Sequence, residues 1–224
     1  MKTTNKDHGF TIVELMVATV VFSLVLVLCL TALIQVSRIY FKGVTTARTQ
    51  EAARQLIDDI TQAVQFSAAS VTITGPVAAP VNPLTPASNN YGRLCVGDKR
   101  YSFVVDRKLT GVTNETNKTT VHAVWVDDFP NCANRNPSPL NLGQANPDGT
   151  NGRELLGENM RLANFNVGSV DGPARLWNVR IAVVYGDNDL IEYAEGTIKC
   201  LPGTAGTQYC ATSQLNSMIQ RRVQ

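Results

Sequence analysis

The sequence predicts an α+β fold, with one long N-terminal helix packed on a head built from an antiparallel β-sheet with long, disulfide-stapled loops. Residues 10–34 form an apolar run whose one charge is Glu14, and an amphipathic helical pattern continues from it to Phe66. Runs of alternating apolar residues, separated by two loops rich in proline, asparagine and glycine, occupy the rest of the chain. Four of the five cysteines lie in this distal part.

The apolar run is long enough to cross a membrane as a helix, since about 20 apolar residues suffice. It contains neither proline nor glycine. We expect residues 10–36 to form the membrane-spanning half of the helix. A carboxylate inside such a segment costs roughly 2.5–3.5 kcal/mol at the bilayer centre, so Glu14 is a candidate functional residue that needs a partner.

Residues 37–67 are predicted to continue the helix as an amphipathic half. Apolar side chains recur at helical spacing on one face, and polar side chains fill the other face. The members of the apolar face are Ala53, Leu56, Ile57, Ile60 and Val64. Gly43 is the weak point of this helix, and the alternative is two helices separated there.

Residues 68–224 are predicted to form the β-rich head. Strands are expected at 71–74, 94–96, 101–105, 121–126, 162–167 and 176–185. A turn at 97–100 would join the second strand to the third, and a turn at 186–189 would let 190–198 pair back on 176–185. Long loops are expected at 75–90 and 128–153, with a tight turn at 148–152. Residues 215–223 are expected to form a short final strand or helix.

The cysteines indicate two disulfides in an exported domain. Cys29 lies in the apolar run and reads as a small buried hydrophobe. The other four are an even set that allows three pairings: Cys95, Cys132, Cys200 and Cys210. The favoured pairing joins the first two and the last two, because each bond then closes a loop local in sequence.

The sequence predicts neither an enzyme nor a metal or cofactor site. It contains no nucleophile elbow, phosphate-binding loop, dinucleotide fingerprint or H-E-x-x-H motif, so no catalytic residue is assigned. Zinc is disfavoured because there is no C-x-x-C motif and His8 and His122 are the only histidines. His122 is expected to be an ordinary strand residue. The net charge of +2 leaves no broad basic surface for nucleic acid.

The junction between the polar start of the chain and the apolar run resembles a known processing signal. Residues 9–17, GFTIVELMV, closely resemble the class III leader of type IV prepilins and type II secretion pseudopilins. The resemblance implies that residues 1–9 are a leader, that a prepilin peptidase cuts between Gly9 and Phe10, and that the new Phe10 amino terminus is N-methylated. Glu14 matches the carboxylate thought to meet the amino terminus of a neighbouring subunit.

The resemblance implies a minor pilin or pseudopilin that is inserted in the inner or cytoplasmic membrane and then drawn into a cell-surface or periplasmic filament. The pattern of the head loosely resembles the larger minor pilins, namely PilW-type minor pilins and J-type pseudopilins. The implied partners are other pilin subunits, prepilin peptidase, membrane lipid and the pilus or secretion assembly platform. Nucleic acid is an unlikely partner, reached only through a filament that takes up DNA.

Two other interpretations stay open. One is a major pilin, and the other is a signal-anchored surface binding protein or enzyme that never enters a filament. The charges flanking the apolar run conflict with export, since Arg38, Lys42, Arg48 and Arg54 follow it closely and favour a cytoplasmic head. The leader resemblance and the four distal cysteines favour the opposite orientation, and we follow them.

Overall fold

The computed structural model describes residues 10–68, 70–75, 91–106, 122–130, 132, 150–171, 175–194, 197–203 and 205–222. The chain divides into two compact units, Met1–Phe41 and Lys42–Gln224. The predicted α+β class is confirmed by one long helix, antiparallel sheets and two disulfides. Most of the two predicted loops, and the leader, fall outside the described residues.

Helix α1 runs from Ile12 to Phe66 without a break at Gly43. In the first unit, every described side chain from Phe10 to Phe41 is exposed, although most of them are apolar. This part of α1 is long and apolar enough to cross a membrane. Such a surface is stable only in lipid or against other apolar helices, because water disfavours exposed hydrocarbon.

In the second unit, α1 buries the predicted apolar face. Ala53, Leu56, Ile60 and Val64 are all fully buried, and Ile57 is 7% exposed. The face extends further toward the N-terminus than predicted, because Thr45, Thr49 and Ala52 are also buried. The apolar members of this face pack into one hydrophobic core with buried apolar residues of the strands.

Ten strands make up the described β-structure. In chain order they are β1 Val71–Thr74, β2 Tyr91–Val96, β3 Lys99–Val104, β4 Val124–Asp128, β5 Thr150–Glu154, β6 Met160–Ser169, β7 Leu176–Tyr185, β8 Ile191–Ala194, β9 Thr197–Cys200 and β10 Ala211–Gln220. Short 3-10 turns lie at Asn188–Leu190 and Thr207–Tyr209. All strand pairs are antiparallel.

The strands form three sheets. The first is a meander with the order β1-β2-β3-β4-β5, the second has the order β10-β7-β6, and β8 pairs with β9 alone. Phe103 of the first sheet and Phe165 of the second meet in the core, with ring centroids 4.4 Å apart. Each aromatic pair of this kind adds about 0.5–1.5 kcal/mol beyond the area that it buries.

Several predicted strands are confirmed, with adjusted ends. β1 and β7 match their predicted ranges, and β6 is longer by two residues at each end. The first hairpin has a tighter turn than predicted, because Val96 pairs directly with Lys99. β4 begins at Val124, after His122 and Ala123, so the predicted strand residue His122 precedes the strand.

The predicted pairing of 190–198 with β7 is wrong. β7 pairs with β6 and β10, whereas 191–194 forms β8 and pairs with β9. The 3-10 turn at Asn188–Leu190 takes the chain away from β7 and buries Leu190. The ten-residue β10 takes the place beside β7, so the predicted short final element at 215–223 is a longer strand that begins earlier.

The predicted loop at 128–153 is wrong at its end, because Thr150–Glu154 forms β5. The predicted tight turn at 148–152 is therefore also wrong from Thr150 onward. This strand consists of polar residues and glycine, so it has no apolar alternation. Gly152 is required there, since a Cβ atom would overlap the Trp125 ring on β4.

A buried polar network joins β6 to the segments around β7 and β8. The Arg161 guanidinium, only 2% exposed, donates to Asp106 Oδ1 over 3.1 Å, to Asn188 Oδ1 over 2.7 Å and to the Gly186 carbonyl over 3.3 Å. The Tyr193 hydroxyl donates to Asp106 Oδ2 over 2.7 Å. The network fixes Asp106 between a buried cation and a phenol.

The stability of the folded protein is expected to fall in strong alkali partly through Tyr193. Burial, followed by the hydrogen bond to Asp106, raises the pKa of Tyr193 to about 12. Since the pKa of an unfolded tyrosine is near 10, the hydroxyl stabilises the fold below about pH 10, and this contribution is lost as the pH rises to 12. The difference in unfolding free energy between the wild type and Tyr193→Phe should narrow from pH 9 to 11. A constant difference would contradict the assignment.

Candidate assembly site

The N-terminal end of α1 is closed by a reciprocal cap between Thr11 and Glu14. The Thr11 backbone N–H donates to Glu14 Oε2 over 2.9 Å, and the Thr11 hydroxyl donates to the same oxygen over 2.8 Å. The Glu14 N–H donates back to Thr11 Oγ1 over 3.3 Å. This is a capping box, which satisfies backbone donors that a helix start leaves without partners.

The cap uses only one of the two Glu14 oxygens. Oε2 accepts both hydrogen bonds from Thr11, and Oε1 has no hydrogen-bond partner among the described residues. The carboxylate can thus cap its own helix through one oxygen and accept a donor from another chain through the other. Our sequence analysis assigned Glu14 to assembly but missed Thr11, although the spacing T-x-x-E is a capping signature.

Phe10 lies immediately before this cap and is 78% exposed. Its neighbour Gly9, the other residue of the expected cleavage site, lies outside the described part of the chain. Apolar side chains surround the cap along α1, so a water-excluding partner would place Glu14 in a low-dielectric environment. There an opposite charge attracts a carboxylate far more strongly than it would in water.

The family model described as the prokaryotic N-terminal methylation motif matches residues 4–30. The chain carries a prepilin-type methylation motif. The match includes the cap and ends within α1, so it does not extend to the globular unit. No curated protein and no solved structure matched the chain.

The methylation motif and the apolar helix together fit a membrane-anchored protein that is assembled into a surface or periplasmic filament. They support a type IV pilin-like or pseudopilin protein, whose assembly requires prepilin peptidase processing and other pilin subunits. Such a protein is structural in character.

The four distal cysteines form two disulfides in the structure. Cys95 on β2 bonds to Cys132, and Cys200 at the end of β9 bonds to Cys210, with Cα atoms 5.7 and 5.8 Å apart. Each bond closes a loop that is local in sequence. Cys29 on α1 has a free thiol and is exposed in the single chain, whereas a buried position was predicted. The difference arises because no described residue covers that part of α1.

The loop between Cys200 and Cys210 is fastened to α1 through polar contacts. Lys42 Nζ donates to the Cys210 carbonyl and, over 3.4 Å, to the Thr207 carbonyl. The Thr45 hydroxyl donates to the Gln208 carbonyl over 3.1 Å. The disulfide and these contacts together fix the segment that leads into β10.

A second polar cluster centres on Glu154, at the end of β5. Its carboxylate accepts hydrogen bonds from the backbone N–H groups of Ala123, Val124, Leu155 and Leu156 over 2.9–3.2 Å. His122 Nδ1 lies 3.2 Å from Oε2. Burial raises the pKa of the Glu154 carboxyl, and the N–H groups of Val124, Leu156 and Ala123 oppose that effect.

The Glu154 cluster borders an open groove of about 780 Å³ between α1 and the connection from β5 to β6. Arg48, Glu51 and Glu158 also line this groove. Because both Glu154 oxygens are engaged by backbone donors, this carboxylate holds the connection in place and is poorly suited to act as a base. Within the described ranges, no group of three or more histidine, cysteine or acidic side chains could hold a metal ion.

Proposed function

We propose that the protein is a minor pilin or pseudopilin, cleaved between Gly9 and Phe10 by prepilin peptidase, N-methylated at Phe10 and assembled into, or priming, a type IV pilus-like filament. The observation that carries this proposal is the Glu14 carboxylate, which caps α1 through Oε2 and leaves Oε1 for a second chain. The methylation motif at residues 4–30 supports the processing step.

Cleavage would create the cation that Glu14 requires. Once residues 1–9 are removed, the Phe10 amino terminus carries a positive charge one residue before Thr11. Within one chain, Glu14 Oε2 already accepts hydrogen bonds from the Thr11 N–H and the Thr11 hydroxyl. When this chain docks beside an existing subunit, the amino terminus of one subunit would meet Glu14 Oε1 of the other. This pairing would relieve the cost of two isolated charges in an apolar environment.

The size of the globular unit supports a minor subunit over a major one. That unit extends from Lys42 to Gln224, and its described residues form three sheets and two disulfides that each close a loop. A bulky head is harder to repeat at every position of a helical lattice. The abundance of the protein relative to other subunits in sheared filaments tests this part of the proposal, and a dominant share would indicate a major pilin.

The processing step is tested by intact mass and N-terminal peptide mapping of the protein from its native host. We expect a chain that starts at methylated Phe10. A Gly9→Val variant should keep the complete leader, because the bulkier residue occupies the position before the cut. A wild-type chain that retains Met1 in a host with active prepilin peptidase would overturn the proposal and favour a signal-anchored surface protein.

A further inference from the structure

The second sheet buries one face in the core, and its other face is open to solvent along most of β6, β7 and β10. Side chains alternate between the two faces of a strand, and Val179, Ile181 and Val183 of β7 are on the buried face. The pairing of β7 with β6 and β10 sets the opposite positions in three rows across the sheet. In the order β6, β7 and β10, the rows are Asn164, Ala182 and Gln214; Asn166, Arg180 and Asn216; and Gly168, Asn178 and Met218. We call these nine residues the outer face.

The outer face is rich in amides and carries a single charge. Five of the nine side chains are asparagine or glutamine, and Arg180 lies at the centre of the middle row. Arg180 is exposed, and its guanidinium makes no hydrogen bond, ion pair or ring contact with any described residue. The N–H donors of this guanidinium are therefore open to a ligand, and no carboxylate lies among the nine residues to compete for them.

Two of the amides carry an acceptor without a donor. Asn164 Oδ1 and Asn178 Oδ1 are enclosed, but neither accepts a hydrogen bond from a described residue. An enclosed acceptor of this kind is unfavourable, because folding removes it from water without supplying another donor. The terminal torsion of an asparagine side chain is soft, so both amides can turn toward a bound molecule. A ligand that carries hydroxyl groups would supply the missing donors.

Small residues leave space around Arg180. Ala182 follows it two positions later on β7, and Gly168 lies in the neighbouring row on β6. Among the described residues, a Cβ atom added at Gly168 would meet only Asn166 Oδ1, at 3.8 Å. A ligand group can therefore approach the guanidinium beside either small residue without displacing a bulky side chain.

The size and charge of the outer face restrict its partner. Strands lie about 4.8 Å apart and alternate residues about 6.8 Å apart, so the nine residues cover about 10 Å by 14 Å. A protein interface would have to extend well beyond them, because each partner usually buries about 800 Å². Nucleic acid is also a poor fit, since its binding relies on several cations that neutralise phosphates, and this face has one.

We propose that the outer face binds an acidic polysaccharide, with a sugar carboxylate on Arg180 and sugar hydroxyls on the surrounding amides. A guanidinium and a carboxylate form two parallel hydrogen bonds, which fixes the orientation of the acidic sugar. Amides both donate and accept hydrogen bonds, as hydroxyl groups do, so the five amides match a short run of sugar units. Met218, which is 62% exposed, offers an apolar contact to the C–H groups of a sugar ring. This site is independent of Glu14 and of filament assembly.

The test measures the binding of a galacturonic acid tetrasaccharide to the full chain in detergent micelles by isothermal titration calorimetry. The matched probe is the same tetrasaccharide with every carboxylate methyl-esterified, which keeps the hydroxyl groups and removes the charge. We expect the acidic probe to bind, and the ester to bind about tenfold more weakly, as expected for hydrogen bonds to a charged group. Equal binding of the two probes, or no binding of the acidic probe at millimolar concentration, would overturn the proposal.

Three variants locate the binding site. Arg180→Gln should weaken binding of the acidic probe about tenfold and leave binding of the ester unchanged. Asn216→Asp places a carboxylate directly opposite Arg180, so it should pair with the guanidinium and repel the acidic probe. Arg48→Gln removes the same charge from an exposed position on α1 and should bind like the wild type. All three positions are exposed, so the fold should be retained, which circular dichroism checks.

The variants and a competitor also define the results that would contradict the proposal. Unchanged affinity of Arg180→Gln for the acidic probe, or an equal loss in Arg48→Gln, would show that the outer face is not the binding site. A short DNA duplex at the same total charge should not displace the acidic probe. Displacement by the duplex would show a general attraction for polyanions and would overturn the assignment to an acidic polysaccharide.

Discussion

Replacing Glu14 by alanine is expected to abolish incorporation of the protein into filaments while leaving leader cleavage intact. The substitution removes the only acidic side chain of the apolar segment, so a docked neighbour's amino terminus would be left as an unpaired charge. Removing one partner of a buried ion pair costs about 3–5 kcal/mol, which corresponds to about two to four orders of magnitude in the docking equilibrium. Sheared filaments should lack the variant, and membrane fractions should contain it in processed form.

Two further variants separate the charge of Glu14 from its capping role. Glu14→Gln keeps an oxygen that can accept the Thr11 N–H but removes the charge, so it should fail to assemble like the alanine variant. Thr11→Val keeps the carboxylate and removes the hydroxyl that contacts it at 2.8 Å. It should assemble, because losing a cap costs only about 0.5–2 kcal/mol. Normal assembly of Glu14→Gln would show that capping, and not charge, is what the filament requires.

Replacing Glu154 by alanine is expected to destabilise the globular unit by about 3–5 kcal/mol. The backbone N–H groups of Ala123, Val124 and Leu156 would lose the carboxylate that they contact at 2.9–3.1 Å. Leaving buried donors without a partner costs about 1–3 kcal/mol each, and some of this cost is recovered by water. Urea unfolding of the full chain in micelles, followed by tryptophan fluorescence, measures the change.

Glu158 provides the matched control for this experiment. It lies four residues further along the chain, lines the same groove and is exposed. Glu158→Ala should change the unfolding free energy by less than about 0.5 kcal/mol. Both tryptophans, Trp125 and Trp177, are buried in the globular unit, so the fluorescence reports its unfolding. Equal stability of the two variants would show that the Glu154 hydrogen bonds contribute little.

Sequence periodicity predicted the elements whose apolar residues face one core. The α1 face from Ala53 to Val64 and strand β7 have strong patterns, because these side chains are buried on a single side. Strands β5 and β10 lie at sheet edges and consist largely of polar residues, so their position depends on neighbouring strands that periodicity does not reveal. The wrong prediction that 190–198 pairs with β7 has the same cause. Residues 191–194 are more apolar than β10, which is the strand that pairs with β7.

The candidate assembly site was predictable where the chemistry is local in sequence. A carboxylate at Glu14 within an apolar run is costly, and this cost identified it without a structure. The cap by Thr11 is also local in sequence. Its T-x-x-E pattern is present, but the sequence analysis did not assign a cap to it. The Glu154 cluster was not predictable, because it joins β5 to residues about 30 positions earlier through backbone N–H groups.

The contacts between α1 and the segments at both ends of β10 affect how the protein folds during export. The contacts of Lys42 with Cys210, and of Ser67 with Arg221, join residues 168 and 154 positions apart. During export the helix emerges early, but its apolar face cannot be fully enclosed until residues up to Arg222 have crossed the membrane. Closing such distant contacts is slow. In the half-exported chain, part of this apolar face therefore stays uncovered until translocation ends.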